Sequence, residues 1–179
     1  MSRYETNVFD EDIEQALARF LDGAKRIAIL GIGNELRTDD GLGPYIIANL
    51  QMPSPVIMIE NVGSVPEAFA SSIADFGAER VILIDAADMH RSPSHVEIVT
   101  RGRIGGVAIS THSMPLSLLM MYLEQETGAE TVLLGIQPKS ITFGEGLTPE
   151  ITEVCHKVIS LLRSVLEKHL EAMRLVPND

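Results

Sequence analysis

Three apolar runs, each released into a glycine-rich or polar loop and separated by segments of helical period, predict an α/β fold. The expected architecture is a three-layer α/β/α sandwich around a mostly parallel, five-stranded twisted sheet. The runs are Arg26 to Leu30 (RIAIL), Arg80 to Ile84 (RVILI) and Thr131 to Ile136 (TVLLGI). Their apolarity is continuous rather than alternating, as in strands buried on both faces of a parallel sheet. At 179 residues, with 45% hydrophobic and 22% charged side chains, the chain has the size and composition of one folded domain.

Apolar residues at Ile13, Ala16, Leu17, Phe20 and Leu21 recur at helical spacing, so an amphipathic helix is expected ahead of the first strand, capped near Asp10 and stopped at Gly23. Residues 1–23 then form a helical extension and 24–179 a single α/β domain. After RIAIL, Thr38 or Asp39 is placed to cap a helix through Tyr45, Ile46, Ile47 and Leu50, with Pro44 tolerated near its first turn. Val56 to Ile59 (VIMI) reads as the second strand. Val65 to Phe76 reads as a helix opened by Ser64, with Glu67 placed for a capping box.

RVILI is the third strand and ends at Asp85. His95 to Thr100 (HVEIVT) alternates apolar and polar residues, as an edge strand of a mixed sheet does. Arg101 to Gly106 (RGRIGG) is a loop, Ser113 to Gln125 a helix and TVLLGI a further strand. Thr148 to Arg174 closes the chain as a long helix with Ile151, Val154, Cys155, Val158, Leu162, Val165 and Leu166 on its apolar face.

Charge and composition exclude several classes. With 14 basic against 25 acidic side chains, the formal net charge of −11 repels a phosphate backbone or an anionic lipid surface. The one cysteine, Cys155, can form neither an internal disulfide nor a CxxC metal site. It fits a reducing compartment and a role as a small buried hydrophobe. The polar, acidic N-terminus carries no secretory pattern, and the longest apolar stretch, Met114 to Leu123, is half of the ~20 residues a membrane span needs. A cytoplasmic, soluble monomer is the expectation. Met114, Met120 and Met121 could offer an adaptable peptide surface, but packing of a helix onto the core is the expected role.

The chemistry is concentrated where strands end. RIAIL discharges into Gly31, Gly33 and Asn34 and then into adjacent aspartates, Asp39 and Asp40. Glycines there permit a positive φ and close backbone approach. A dinucleotide fingerprint fails because Leu36 stands where its third glycine belongs, and no P-loop, HExxH or GxSxG motif occurs. Asp85 directly follows an apolar strand, where a carboxylate is costly unless it emerges at the strand's C-terminal edge; capping of a following turn with Asp88 is the plainer alternative. His112 also stands at an element boundary, whereas His90, His95, His156 and His169 read as structural or solvent-facing. Two carboxylates and one imidazole make a mixed oxygen and nitrogen set that can hold a divalent ion with positions left open; nickel, zinc and iron all suit it.

The segments GIGNELRTDDGLG, LIDAAD, STHSMPL, GIQP and GLTP occur in order from Ala28 onward. Together they resemble the nickel-iron hydrogenase maturation endopeptidases, and most closely the branch that serves formate-hydrogenlyase-type hydrogenases. The resemblance implies an enzyme that removes the C-terminal extension from the precursor of the hydrogenase large subunit once nickel has been inserted. By motif, Asp40, Asp85 and His112 match the residues that contact the metal and carry the reaction, and Asp39 becomes a loop and helix-cap residue. Nickel is then carried by the precursor, and no tightly bound organic cofactor is expected. A nickel-site-recognising maturation protein without hydrolytic activity would use the same trio. The chain departs from the family pattern at Asn61, Val62 and Gly63, where Asp-Gly-Gly is common.

Overall fold

The structure, a computed structural model, describes residues 12–101 and 115–175. Its elements are α1 (Asp12–Leu21), β1 (Ile27–Ile32), a 3-10 turn (Thr38–Gly41), α2 (Leu42–Asn49), β2 (Ile57–Gly63), a second 3-10 turn (Pro66–Phe69), α3 (Ala70–Phe76), β3 (Arg80–Ala86), β4 (Val96–Thr100), α4 (Leu116–Thr127), β5 (Glu130–Ile136) and α5 (Pro149–Leu175). The five strands form one sheet in the order β2-β1-β3-β5-β4. All pairings are parallel except β4 against β5, so the sheet is mixed only at one edge, where the alternating segment runs.

Register explains how one apolar run feeds two cores. β1, β3 and β5 pair in step, Ile29 beside Ile82 and Ile82 beside Val132, so alternate residues of neighbouring strands share a face. Ile27, Ile29, Ile82, Ile84, Val132 and Leu134 join the cluster under α1, α2 and α5. Ala28, Leu30, Val81, Leu83 and Leu133 join the cluster under α3 and α4. Removing these side chains from water contributes about 1.5–3 kcal/mol for each large one, which is why the three central strands tolerate no polar position until their ends.

α1 lies within the first of these clusters, with Leu17 and Leu21 fully buried among residues of α5 and the sheet. Its C-terminal end is held by Arg80, whose Nε donates to the Phe20 carbonyl at 2.9 Å while its guanidinium lies 5.7 Å from the Phe20 ring centroid. The chain after it is held by a 2.9 Å hydrogen bond between His169 Nε2 and the Ala24 carbonyl. The expected cap at Asp10 and most of the RGRIGG loop lie outside the described residues.

Helix entries differ from expectation. Neither Thr38 nor Asp39 caps α2: the helix follows a 3-10 turn, and neither element has a side-chain cap. Ser64 and Glu67 form no capping box either, because Pro66 opens a 3-10 turn and α3 begins only at Ala70. β2 runs past VIMI to Gly63, carried by pairing with β1 as far as Ile32 opposite Gly63, with a bulge at Gly31/Ile32. Pairing with an already ordered neighbour overrides the weak local β propensity of Glu60 and Asn61.

Candidate functional site

The strand order places a switch point between β1 and β3. From β1 the chain moves outward to β2, then returns to the other side of β1 to form β3. The helix after β1, α2, packs with one core cluster, while α3 and α4 pack with the other. Connections that part to opposite faces leave a crevice at the C-terminal strand ends, the usual ligand position in open α/β sheets.

Asp40 reaches that edge through glycine. Gly33 has φ 148° and lies so close to the Asp40 carbonyl that a Cβ could not be accommodated. Gly43 sits 2.7 Å, at its would-be Cβ, from the carbonyl oxygen of Ile84 in β3. Because nothing larger fits, the turn and the start of α2 lie directly on β1 and β3. Asp40 is 1% exposed, and its Oδ2 accepts the Asn34 N–H at 3.1 Å.

Asp85 is the penultimate residue of β3, paired with Gly135 of β5, and is also 1% exposed. It shares the parity of Val81 and Leu83, so its side chain leaves the sheet on the face covered by α3 and α4. The turn bearing Asp40 packs against β3. Asp40 and Asp85 therefore share one edge of the sheet. His112 lies outside the described residues; α4, the helix that follows it, packs on the Asp85 face. Among the described residues, no group of three potential metal-binding side chains converges.

Three residues that were given no chemical part in the sequence reading organise this edge. Asp39, fully buried, accepts from Lys139 N, Ser140 N, Thr148 N and Thr148 Oγ1 at 2.7–3.1 Å. Asn34 accepts the Leu36 N–H on its side chain and donates its own N–H to Asp40. Gln137 accepts from Met89 N at 2.7 Å and Arg91 N at 3.3 Å, and donates to Asp88 Oδ1, so it shapes the loop that leaves Asp85. Their signal was present in the motif strings GN, DD and GIQP, but only long-range partners reveal the roles.

The electrostatics remove one alternative nucleophile. Burial, reinforced by the negative charge of Asp39, pushes the Cys155 thiol up from 9.0 to about 12, so it stays protonated and inert. At the rim, the Asp88 carboxyl is held below its ordinary range, chiefly by the His90 N–H and also by Gln137. A cavity of about 160 Å³ opens beside the Asp39–Asp40 turn, lined by Glu35, Thr38, Tyr45 and Leu147 among others. That is smaller than the roughly 300–1,000 Å³ of small-molecule sites.

The profile of the HycI family, described as hydrogenase maturation protease, matches residues 45–165, well over half of the chain. The chain belongs to the hydrogenase maturation protease family. The matched span contains Asp85 and His112 and begins just after Asp40. The hydrogenase 3 maturation protease of Escherichia coli is 30% identical over 136 residues, covering 75% of this chain and 86% of that protein. A Methanocaldococcus jannaschii protein provisionally named a hydrogenase maturation protease is 31% identical, covering 87% of this chain and 97% of its own. Among solved structures, the nickel-iron hydrogenase maturation protease HycI of Thermococcus kodakarensis superposes with a TM-score of 0.78 at 31% identity, covering 85% of this chain and 99% of that one. Membership makes the chain a peptide hydrolase on an α/β fold. Among the described residues, no helix is long and apolar enough to cross a membrane.

Proposed function

We propose that this protease removes the C-terminal extension from the nickel-loaded precursor of a nickel-iron hydrogenase large subunit, acting as a cytoplasmic monomer. The observation that carries the proposal is the pair of buried aspartates, Asp40 and Asp85, at the C-terminal edge of adjacent parallel strands in a chain of this family. Two carboxylates at one sheet edge supply hard oxygen donors of the kind that hold a divalent ion, here one delivered by the precursor. His112 completes the oxygen and nitrogen set by motif, and α4 begins close after it on the face that Asp85 addresses.

In this reading nickel is a feature of the substrate. The trio occupies the ion's open positions and so brings one peptide bond of the precursor to the sheet edge. Hydrolysis adds a water across that amide, leaving a new carboxylate on the shortened subunit and an amine on the released peptide. Two assignments of the water's activation differ in their dependence on the carboxylates. If nickel polarises the carbonyl, Asp40 and Asp85 act by holding it; if a carboxylate is the general base, its isosteric amide binds precursor yet fails to cut.

Incubation with precursor before and after nickel loading, read by intact mass, tests the proposal. The expected result is a shortened subunit and a free peptide from loaded precursor only, with Asp40→Ala, Asp85→Ala and His112→Ala slowed by on the order of 10²-fold or more. Equal cutting of unloaded precursor, or wild-type rates in the three variants, would refute it. Tight binding of loaded precursor without any released peptide would identify instead a nickel-site-recognising protein that does not hydrolyse.

A further inference from the structure

We infer that Asp39 is a positioning residue for the reaction: it ties the turn that carries Asp40 to both ends of the loop between β5 and α5. This inference rests on the proposed role of Asp40 and adds to it.

The geometry is unusual for a buried carboxylate. Lys139 N and Ser140 N, which donate to Oδ2 at 3.0 and 2.9 Å, stand at the start of the loop that follows β5. Thr148 N, donating to Oδ1 at 2.7 Å, and Thr148 Oγ1, donating to Oδ2 at 3.1 Å, stand at its end, immediately before α5. Three donors converge on Oδ2 and one on Oδ1, and the side chain is fully buried, so this carboxylate is committed to the loop although it adjoins Asp40.

The same turn is bonded to the loop along its backbone. Thr38 N donates to the Gly144 carbonyl at 2.8 Å, Asp39 N to the Ser140 carbonyl at 3.0 Å, and Thr38 Oγ1 to the Ser140 carbonyl at 2.6 Å. In a 3-10 turn, successive side chains are about 120° apart, so consecutive residues face different neighbours from one rigid frame. Asp39 faces the loop, and Asp40 faces Asn34 and the end of β1. From the β1 side, Gly33 fixes how closely the turn can lie; from the α5 side, Asp39 fixes where along the edge it rests. Releasing the second constraint lets Asp40 drift, and a displacement of about 1 Å costs up to about 10²-fold in rate.

The test compares Asp39→Asn, Thr148→Ala, Thr148→Ser and Asp40→Asn in the full chain, with nickel-loaded precursor, at a temperature where circular dichroism shows each variant folded. Asp39→Asn turns an amide NH₂ toward donors, and Thr148→Ala removes one hydrogen bond without touching Asp39. The expected result is a kcat lower by about 10- to 100-fold in Asp39→Asn, a smaller loss in Thr148→Ala, and recovery in Thr148→Ser, all with KM little changed. A brace that serves stability alone would lower the unfolding midpoint and leave kcat intact in the folded variants; that outcome overturns the inference. Should Asp39→Asn not fold, the Thr148 pair decides: equal kcat for the alanine and serine variants overturns the inference too. Asp40→Asn separates the two levels, because full activity there refutes the role of Asp40 itself, whereas loss there with normal Asp39→Asn and Thr148→Ala refutes only the brace.

Discussion

Replacing Gly33 by alanine should injure both stability and cleavage, through a contact that can be specified atom by atom. Gly33 has φ 148°, a conformation that costs an alanine about 1–3 kcal/mol. Its new methyl would also stand 3.0 Å from the Asp40 carbonyl carbon and 3.2 Å from Pro44 Cδ, and far inside the limit of ordinary contact with the Asp40 carbonyl oxygen. The neighbour is backbone, which cannot rotate away, so the turn itself must move by on the order of 1 Å, adding roughly 1–3 kcal/mol of overpacking. Together the two effects amount to about 2–6 kcal/mol. Gly23 is the control: φ is 73° and nothing lies within 4 Å of where a Cβ would stand, so Gly23→Ala carries conformational strain alone. For a chain of this size each kcal/mol lowers Tm by about 2–4 °C, so Gly33→Ala should melt several degrees below Gly23→Ala. Denaturant unfolding and cleavage of nickel-loaded precursor would be measured on both. Gly33→Ala should lose on the order of 10²-fold in kcat while Gly23→Ala retains its rate. Equal stability and equal rates in the two variants would refute the idea that backbone contact at Gly33 sets the position of Asp40.

Cys155 makes a pH-dependent prediction. Its folded pKa is raised, so above the ordinary value of 9.0 the unfolded chain loses a proton that the folded chain keeps until about 12, and stability falls as pH rises through this window. By linkage the loss reaches about 1.4 kcal/mol at pH 10. Denaturant midpoints at pH 8 and 10 should therefore fall more for wild type than for Cys155→Ala, and parallel curves would disprove the burial effect. Gln137→Met keeps the volume of the side chain but strips the acceptor from the buried Met89 N–H. A cost of about 1–3 kcal/mol is expected, with faster hydrogen exchange at Met89, and unchanged exchange there would show that Gln137 does not hold the loop after β3.

The local physics of the chain was enough to specify the layered sheet. Continuous apolar runs at RIAIL, RVILI and TVLLGI can be buried only between two helix layers, and the alternation in HVEIVT marks the one antiparallel edge. The glycines at 31 and 33 and the two following aspartates likewise signalled, from residue type alone, that backbone and charge meet at a strand end. What sequence could not apportion was the work of the adjacent acids. Local capping rules assigned Asp39 and Thr38 to a nearby helix, yet their partners are Lys139, Ser140 and Thr148, about a hundred positions away. Gln137 was a letter in a motif until the fold brought Met89 and Arg91 to its amide. Secondary structure follows from forces that act over a few residues and leave a period in the sequence. The bracing of a site depends on which distant donors are carried to one carboxylate, and that is decided only when the sheet and its helices assemble.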